Sequence, residues 1–305
     1  MALTHIPFTL GNELLDWTDL TTALVKGHDL PKAEIDDTFL YRGKDTLLSR
    51  SAWIDGMGVA VKSATVYPDN PSKGASMING AVCLFADNSG ELEAMIDFHL
   101  VTKWKTVGDS LLAATRLARP DSKSILIVGA GSVGRGVFAA FSSVFPDAGF
   151  EIWNRSAAGA EAMAADLPGL TIATDLERAV RRADIIVCAT MSTDPLIKGD
   201  WLQPGQHLNL IGAYRPDMRE TDDIALLRGS IYVDSFDTTL DHIGEIKIPI
   251  QAGVITRYDV LADYYNLDAF NRRSDDEITV FKNGGGAHLD LMTSRYIMEK
   301  WQASS

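Results

Sequence analysis

One run of the chain restricts its fold more than any other. In Ser124-Ile-Leu-Ile-Val-Gly-Ala-Gly-Ser-Val-Gly-Arg-Gly an apolar stretch passes directly into glycines at positions 129, 131 and 134. A buried strand that turns straight into a helix uses this spacing. Gly129 allows the tight turn, Gly131 lets the backbone approach a pyrophosphate, and Gly134 allows helix and strand to pack closely. The helix N-terminus then turns unpaired N–H groups and the positive end of its dipole toward phosphates. Taken alone, Gly-x-Gly-x-x-Gly says little in a chain with 25 glycines. Its setting predicts a dinucleotide site built on Gly129, Ala130, Gly131, Ser132, Val133 and Gly134.

Beyond this run the same rhythm continues. A strand is expected at 149–153, helices at 157–167 and 176–182, and further strands at 171–173, 185–190, 207–212 and 230–234. That alternation belongs to a parallel sheet. The chain ahead of the run reads differently. Between 7 and 28 the pattern predicts a strand and then a helix, and residues 38–97 read as strands at 38–41, 46–53, 58–67, 80–85 and 93–97. Gly, Pro, Asn and Asp turns separate them, as in an antiparallel sheet. A long helix at 101–117 ends at Ala118-Arg-Pro-Asp-Ser-Lys, which places a boundary near 121. The last stretch reads as a glycine loop, Lys282-Asn-Gly-Gly-Gly-Ala, and a helix at 289–301; the pattern alone does not show where that helix packs. The expected fold class is α/β, a Rossmann-type parallel sheet domain with a smaller, mainly antiparallel α+β domain.

At 305 residues the chain has room for two domains, and 46% hydrophobic with 23% charged residues is a globular balance. The longest apolar stretches, 81–86 and 185–189, fall short of the roughly 20 residues a membrane span needs. Met-Ala-Leu-Thr-His-Ile-Pro has no basic region followed by an apolar run, so a cytoplasmic location is expected. Cys83 and Cys188 both sit in apolar, strand-like runs and read as core residues rather than as a disulfide or a zinc site. A net charge of -13 opposes binding to nucleic acid or anionic lipid. An anionic small substrate would need a locally basic pocket.

The residues after the second strand of the parallel sheet read the adenosine ribose. Here they are Asn154, Arg155 and Ser156, with no carboxylate among them. An Asp or Glu would accept the ribose 2′-hydroxyl and repel a 2′-phosphate, whereas Arg155 with its neighbours can embrace that phosphate. NADP(H) is favoured; NAD(H), with Arg155 stacked on adenine, is the alternative. Thr190 and Met191 come after a later strand and lie where such folds meet the nicotinamide ribose.

Several segments in order resemble the ornithine cyclodeaminase/mu-crystallin family over essentially the whole chain. They are Gly58-Val-Ala-Val-Lys62, Tyr67-Pro-Asp-Asn-Pro, Leu100-Val-Thr-Lys-Trp-Lys105-Thr, Leu117-Ala-Arg-Pro, Val128-Gly-Ala-Gly, Arg215-Pro-Asp-Met-Arg-Glu220 and Phe281-Lys-Asn-Gly-Gly-Gly-Ala. The resemblance implies a substrate and dimerisation domain at 1–121 joined by 283–305, a Rossmann domain at 122–282, and a homodimer. It also implies hydride transfer between a nicotinamide and the Cα of an α-imino or α-amino acid whose carboxylate is held by basic side chains. Lys62 matches the family's substrate lysine and is the expected proton donor near the imine nitrogen. Lys105 stands where the family more often has Arg, a point charge in place of a fork. Asp290 fits a family aspartate near the active site, and Asn283 lies in the glycine loop expected near the nicotinamide. Arg50 either contacts substrate or covers the edge of the site.

Tyr214 is the departure that separates the family's activities. Chains that convert ornithine to proline look to have an aspartate near this position, and an ordinary phenol stays protonated at neutral pH. The expectation is therefore an NAD(P)H-dependent reductase of a cyclic α-imino acid, Δ1-pyrroline-2-carboxylate or Δ1-piperideine-2-carboxylate, giving L-proline or L-pipecolate. Ornithine cyclodeamination, reduction of open-chain imines to alanine or aspartate, and non-catalytic dinucleotide binding stay open as alternatives. A dicarboxylic imine is conceivable if Arg42 and Arg50 both face the pocket. His99 and His288 lack metal-ligand spacing, Asp217, Arg219 and Glu220 are expected to organise a loop, and 275–277 reads as a solvated acidic turn or helix cap.

Overall fold

In the computed structural model, which describes residues 3–304, the first unit opens with β1 (Thr4–Ile6) and α1 (Phe8–Glu13), followed by α2 (Trp17–His28). The strand expected after Pro7 lies before it, and the helical segment is two helices. Pro7 is the N-cap of α1, a place that suits a residue without an N–H. Asp16 starts a new helix by accepting the Thr18 and Asp19 amides at 2.8 and 3.0 Å. Five strands come next, β2 (Glu34–Arg42), β3 (Asp45–Ile54), β4 (Gly58–Val66), β5 (Ile78–Phe85) and β6 (Leu92–Asp97). They form a six-stranded sheet in the order β1-β6-β5-β4-β3-β2, antiparallel except for β1 on β6. On β4 burial alternates, so Ala60, Lys62 and Ala64 share the covered face.

The next helix, α3 (Phe98–Leu117), is begun by Asp97, whose carboxylate accepts the His99 and Leu100 amides. The chain divides into two compact units inside this helix, at Lys105/Thr106, ahead of its end at Leu117. The cause is where its later half bonds. Thr106 O accepts from Asn283, Asp109 O from the Tyr264 hydroxyl and Leu117 O from Arg272, all residues of the second unit.

That unit contains β7 (Ser124–Val128), α4 (Ser132–Val144), β8 (Gly149–Trp153), α5 (Ala157–Asp166), β9 (Leu170–Ile172), α6 (Leu176–Arg182), β10 (Ile185–Cys188) and β11 (His207–Leu210). It continues with α7 (Asp223–Arg228), β12 (Ser230–Val233), α8 (Phe236–Thr239), α9 (Gly244–Gln251), β13 (Val260–Ala262) and β14 (Thr279–Lys282). Its eight strands are all parallel, in the order β13-β12-β14-β11-β10-β7-β8-β9. The order reverses between β7 and β10, and the crevice beyond the carboxyl ends of such a pair is where doubly wound sheets bind ligands. The core is continuous through Leu126, Val128, Ile186, Leu208, Leu210, Val233 and Val280.

The last helix, α10 (Ala287–Ser304), belongs to the first unit. It packs on α2 and across β2 to β5, burying Leu289, Met292 and Ile297. Trp17 of α2 stacks on Trp104 of α3 with ring centroids 3.8 Å apart. Among the described residues no helix is long and apolar enough to cross a membrane, and no cluster of His, Cys, Asp and Glu is arranged to hold a metal ion.

Candidate active site

Three charged side chains meet inside the first unit. Lys62 is brought by the covered face of β4, Lys105 by α3, and Asp290 by the first turn of α10; they are 6, 4 and 1% exposed. The Lys62 ammonium donates to Asp290 Oδ1 at 2.9 Å, and the Lys105 ammonium lies 3.6 Å from the same oxygen. Lys62 Nζ also sits 4.7 Å from the centre of the Phe98 ring. Two buried cations share one carboxylate here, a balance that an added anion improves. The other Asp290 oxygen, Oδ2, is buried and has no hydrogen-bond partner among the described residues.

Burial pushes the Lys62 ammonium down to about 8; Asp290 works against this and Lys105 adds to it. For Asp290 burial acts upward, but Lys105 and Lys62, with Arg50, more than offset it and hold the carboxyl below its usual range. Lys62 is therefore an acid that can give up its proton near neutral pH while Asp290 stays ionised.

In the second unit the glycine turn joins β7 to α4. Gly129 has φ +114°, and a Cβ there would lie 2.5 Å from the Ala189 carbonyl oxygen. A Cβ on Gly134 would run into the Gly129 carbonyl, so only glycine lets the helix approach the strand. At Gly131, the N-cap of α4, nothing stands within 4 Å of such a Cβ. This open space in front of the amides of Ser132, Val133 and Gly134 fits a pyrophosphate. Asn154 holds the turn from the side: its Oδ1 accepts the Ala130 amide at 3.2 Å, and its Nδ2 donates to Ser156 O. Arg155 and Ser156 are exposed at the end of β8, and no carboxylate stands directly after that strand.

The carboxyl ends of β10 and β11 are tied together from beneath. Glu220, fully buried, accepts the Thr190 amide at 2.7 Å, the Thr190 hydroxyl at 2.9 Å and the Gly212 amide at 2.6 Å. Behind it Glu245, also fully buried, accepts the amides of Glu220 and Thr221 at 2.6 and 3.0 Å. Lys282 is buried beside them on β14 and donates to Leu210 O. Burial first, and the Glu220 charge second, push the Glu245 carboxyl up to about 7.

This arrangement has counterparts among known proteins. The sequence pattern of the ornithine cyclodeaminase/mu-crystallin family matches residues 52–305. The chain belongs to that family. A Delta(1)-pyrroline-2-carboxylate reductase of Paracoccus denitrificans is 47% identical over 93% of this chain and 92% of its own length. An archaeal alanine dehydrogenase dimer with bound NAD is 26% identical, covers all of this chain and 97% of its own, and superposes with a TM-score of 0.90. The Thermococcus litoralis Delta(1)-pyrroline-2-carboxylate reductase, solved with NADH and L-proline, shares the fold at a TM-score of 0.90 and 24% identity, over 99% of this chain and 98% of its own.

Within this family fold the expected site residues separate by unit. Lys62, Lys105 and Asp290 come together. Arg50 stands directly across from Lys62 in the β3–β4 pair, and its charge acts on both Lys62 and Asp290. Arg42 does not join them; it is exposed and donates to Asp45 and to the Tyr67 hydroxyl. Thr190 and Met191 stand just past β10 in the second unit, where Thr190 is held by Glu220 and Met191 is 71% exposed. Tyr214 is 58% exposed on the loop after β11, with the Arg215 guanidinium 5.6 Å from its ring centre. Asn283 is only 4% exposed, and its amide donates to Thr106 O and Ser110 Oγ, so this side chain braces α3. Asp217 pairs with Arg215 and Arg219 with Asp223. Sequence reasoning did not single out Glu245, Lys282 or Asp37. The available signal was a charge inside an apolar stretch, as in Thr279-Val-Phe-Lys282 and Ile243-Gly-Glu245-Ile.

Proposed function

We propose that this protein is an NAD(P)H-dependent reductase of a cyclic α-imino acid, converting Δ1-pyrroline-2-carboxylate or Δ1-piperideine-2-carboxylate to L-proline or L-pipecolate. The observation that carries the reading is the buried Lys62–Lys105–Asp290 cluster, whose two ammonium groups around one carboxylate suit one substrate carboxylate. Lys62 and Lys105 hold that carboxylate, and Lys62 gives its proton to the imine nitrogen. Asp290 keeps the Lys62 ammonium in place, and its Oδ2 is an acceptor for the N–H that results. The nicotinamide, when bound, supplies the hydride that reaches C2, so one hydride and one proton convert C=N to CH–NH. The name and 47% identity of the Paracoccus relative support the same chemistry. No carboxylate stands at Tyr214 to receive a side-chain amine, which disfavours ornithine as the substrate.

The second unit holds the dinucleotide by the turn from Gly129 to Gly134, with Asn154 steadying it, Arg155 and Ser156 at the adenosine end and Thr190 and Met191 at the nicotinamide end. Asn283 acts there through its backbone, since its side chain is committed to α3. The cofactor is NADP(H), on the strength of an exposed Arg155 and the missing carboxylate after β8. In the same reading the first unit is the substrate and dimerisation domain, the protein is a homodimer, and it works in the cytoplasm. The deciding experiment is the initial rate of NADPH and NADH oxidation with both cyclic imines, with pyruvate plus ammonia and with iminosuccinate, using ornithine as control. Rapid oxidation with a cyclic imine and none with ornithine is the expected result. Ammonia release from ornithine without oxidation by any imine would overturn it.

A further inference from the structure

The charge in the first unit extends two strands beyond Lys62, across β3 to β2. Asp37, Arg50 and Lys62 are paired positions on β2, β3 and β4, so their side chains leave the same face of the sheet. Arg50 is held side-on by Asp37: its Nε lies 3.0 and 3.1 Å from the two carboxylate oxygens, and its Nη2 lies 2.9 Å from Oδ2. That edge of the guanidinium is the fork with which arginine grips a carboxylate. Both partners are partly exposed, at 21 and 33%, so the pair lies within reach of solutes.

Counted together, Lys62, Lys105 and Arg50 face Asp290 and Asp37. Among these five side chains cations outnumber carboxylates by one, a balance that suits a single substrate carboxylate. A second carboxylate on the substrate would meet a fork already filled and a like charge beside it. Discrimination by a repulsive group is as effective as discrimination by an attractive one. We propose that Asp37 is a specificity residue: by occupying the guanidinium fork of Arg50 it confines the site to α-imino acids with one carboxylate and excludes α-imino dicarboxylates. This rests on the reductase reading and names its substrate class.

The test compares kcat/KM for Δ1-pyrroline-2-carboxylate and iminosuccinate in the wild-type protein, in Asp37→Asn and in Asp37→Asn/Arg50→Gln. The wild type is expected to prefer the monocarboxylate. Asp37→Asn is expected to shift the ratio toward iminosuccinate by about tenfold or more, mainly through KM, as freeing a charged hydrogen-bonding fork should. The double variant is expected to lose that gain. An unchanged ratio in Asp37→Asn, or a wild type that uses both imines equally, overturns the proposal while the reductase reading stands. Calorimetric binding of pyrrole-2-carboxylate and of succinate reads the same selectivity without turnover. It separates the two failures: a protein inactive toward every imine sinks the reductase reading, whereas the Asp37 proposal falls if succinate binds the wild type as tightly as the monocarboxylate. Should Asp37→Asn not fold, Asp37→Ser and the wild-type binding ratio decide it.

Discussion

Lys62 titrates where its proposed role needs it to. Burial lowers its ammonium to about 8, so it is charged at neutral pH and loses both its proton and its hold on a carboxylate above that value. Imine reduction is therefore expected to slow as pH rises through about 8, and amine oxidation to quicken, in initial-rate profiles of the two directions. Replacing Lys62 by Met removes the donor and is expected to lower kcat by about a hundredfold or more. NADH binding, followed by quenching of protein fluorescence, should survive, because the glycine turn lies in the other unit. At the adenosine end, Arg155→Asp supplies the carboxylate that is missing directly after β8. The ratio of kcat/KM for NADPH over NADH should drop by about tenfold or more, since a 2′-phosphate would lose a charged partner and face a like charge.

Among the elements, β10, β11 and α9 are coupled through two buried carboxylates. Glu220 fixes the amides of Thr190 and Gly212, and Glu245 fixes the amide of Glu220. The Glu245 carboxyl is held at about 7, above its ordinary 4.5, so between those values the folded protein keeps a proton that the unfolded chain has released. Stability contributed by this group is thus fully present below about 4.5 and falls as pH rises to about 7. Urea unfolding across that range should show the decline, and Glu245→Gln should flatten it. An equally steep decline in the variant would assign the titration elsewhere. The turn from β7 to α4 could be read from its glycines because each answers a local steric demand. The strand β14 could not: it is only four residues long, ends in a fully buried lysine and comes after a charged stretch.

For the whole molecule, the assembly is the open prediction. The edge strand β2 is exposed along all nine residues and carries Phe39, Leu40 and Tyr41, at 48, 68 and 72% exposure. An open edge with adjacent apolar side chains invites pairing with another chain. Sedimentation is expected to show a dimer, and Leu40→Glu to shift the protein toward monomer; a wild-type monomer at all concentrations would remove the homodimer from the proposed function. Two classes of architecture were legible in the sequence, the parallel sheet from its alternation of strands and helices and the antiparallel sheet from its turns, because backbone periodicity is a local property. So were the dinucleotide turn and, through family resemblance, Lys62, Lys105 and Asp290 as separate candidates. Only the tertiary structure decided that these three share one buried point, that Asp37 grips Arg50, that Arg42 stands apart and that the Asn283 side chain braces a helix. Lys62 and Asp290 are 228 positions apart in sequence. Which charges meet depends on strand register and helix packing, and neither is written in the spacing of the residues themselves.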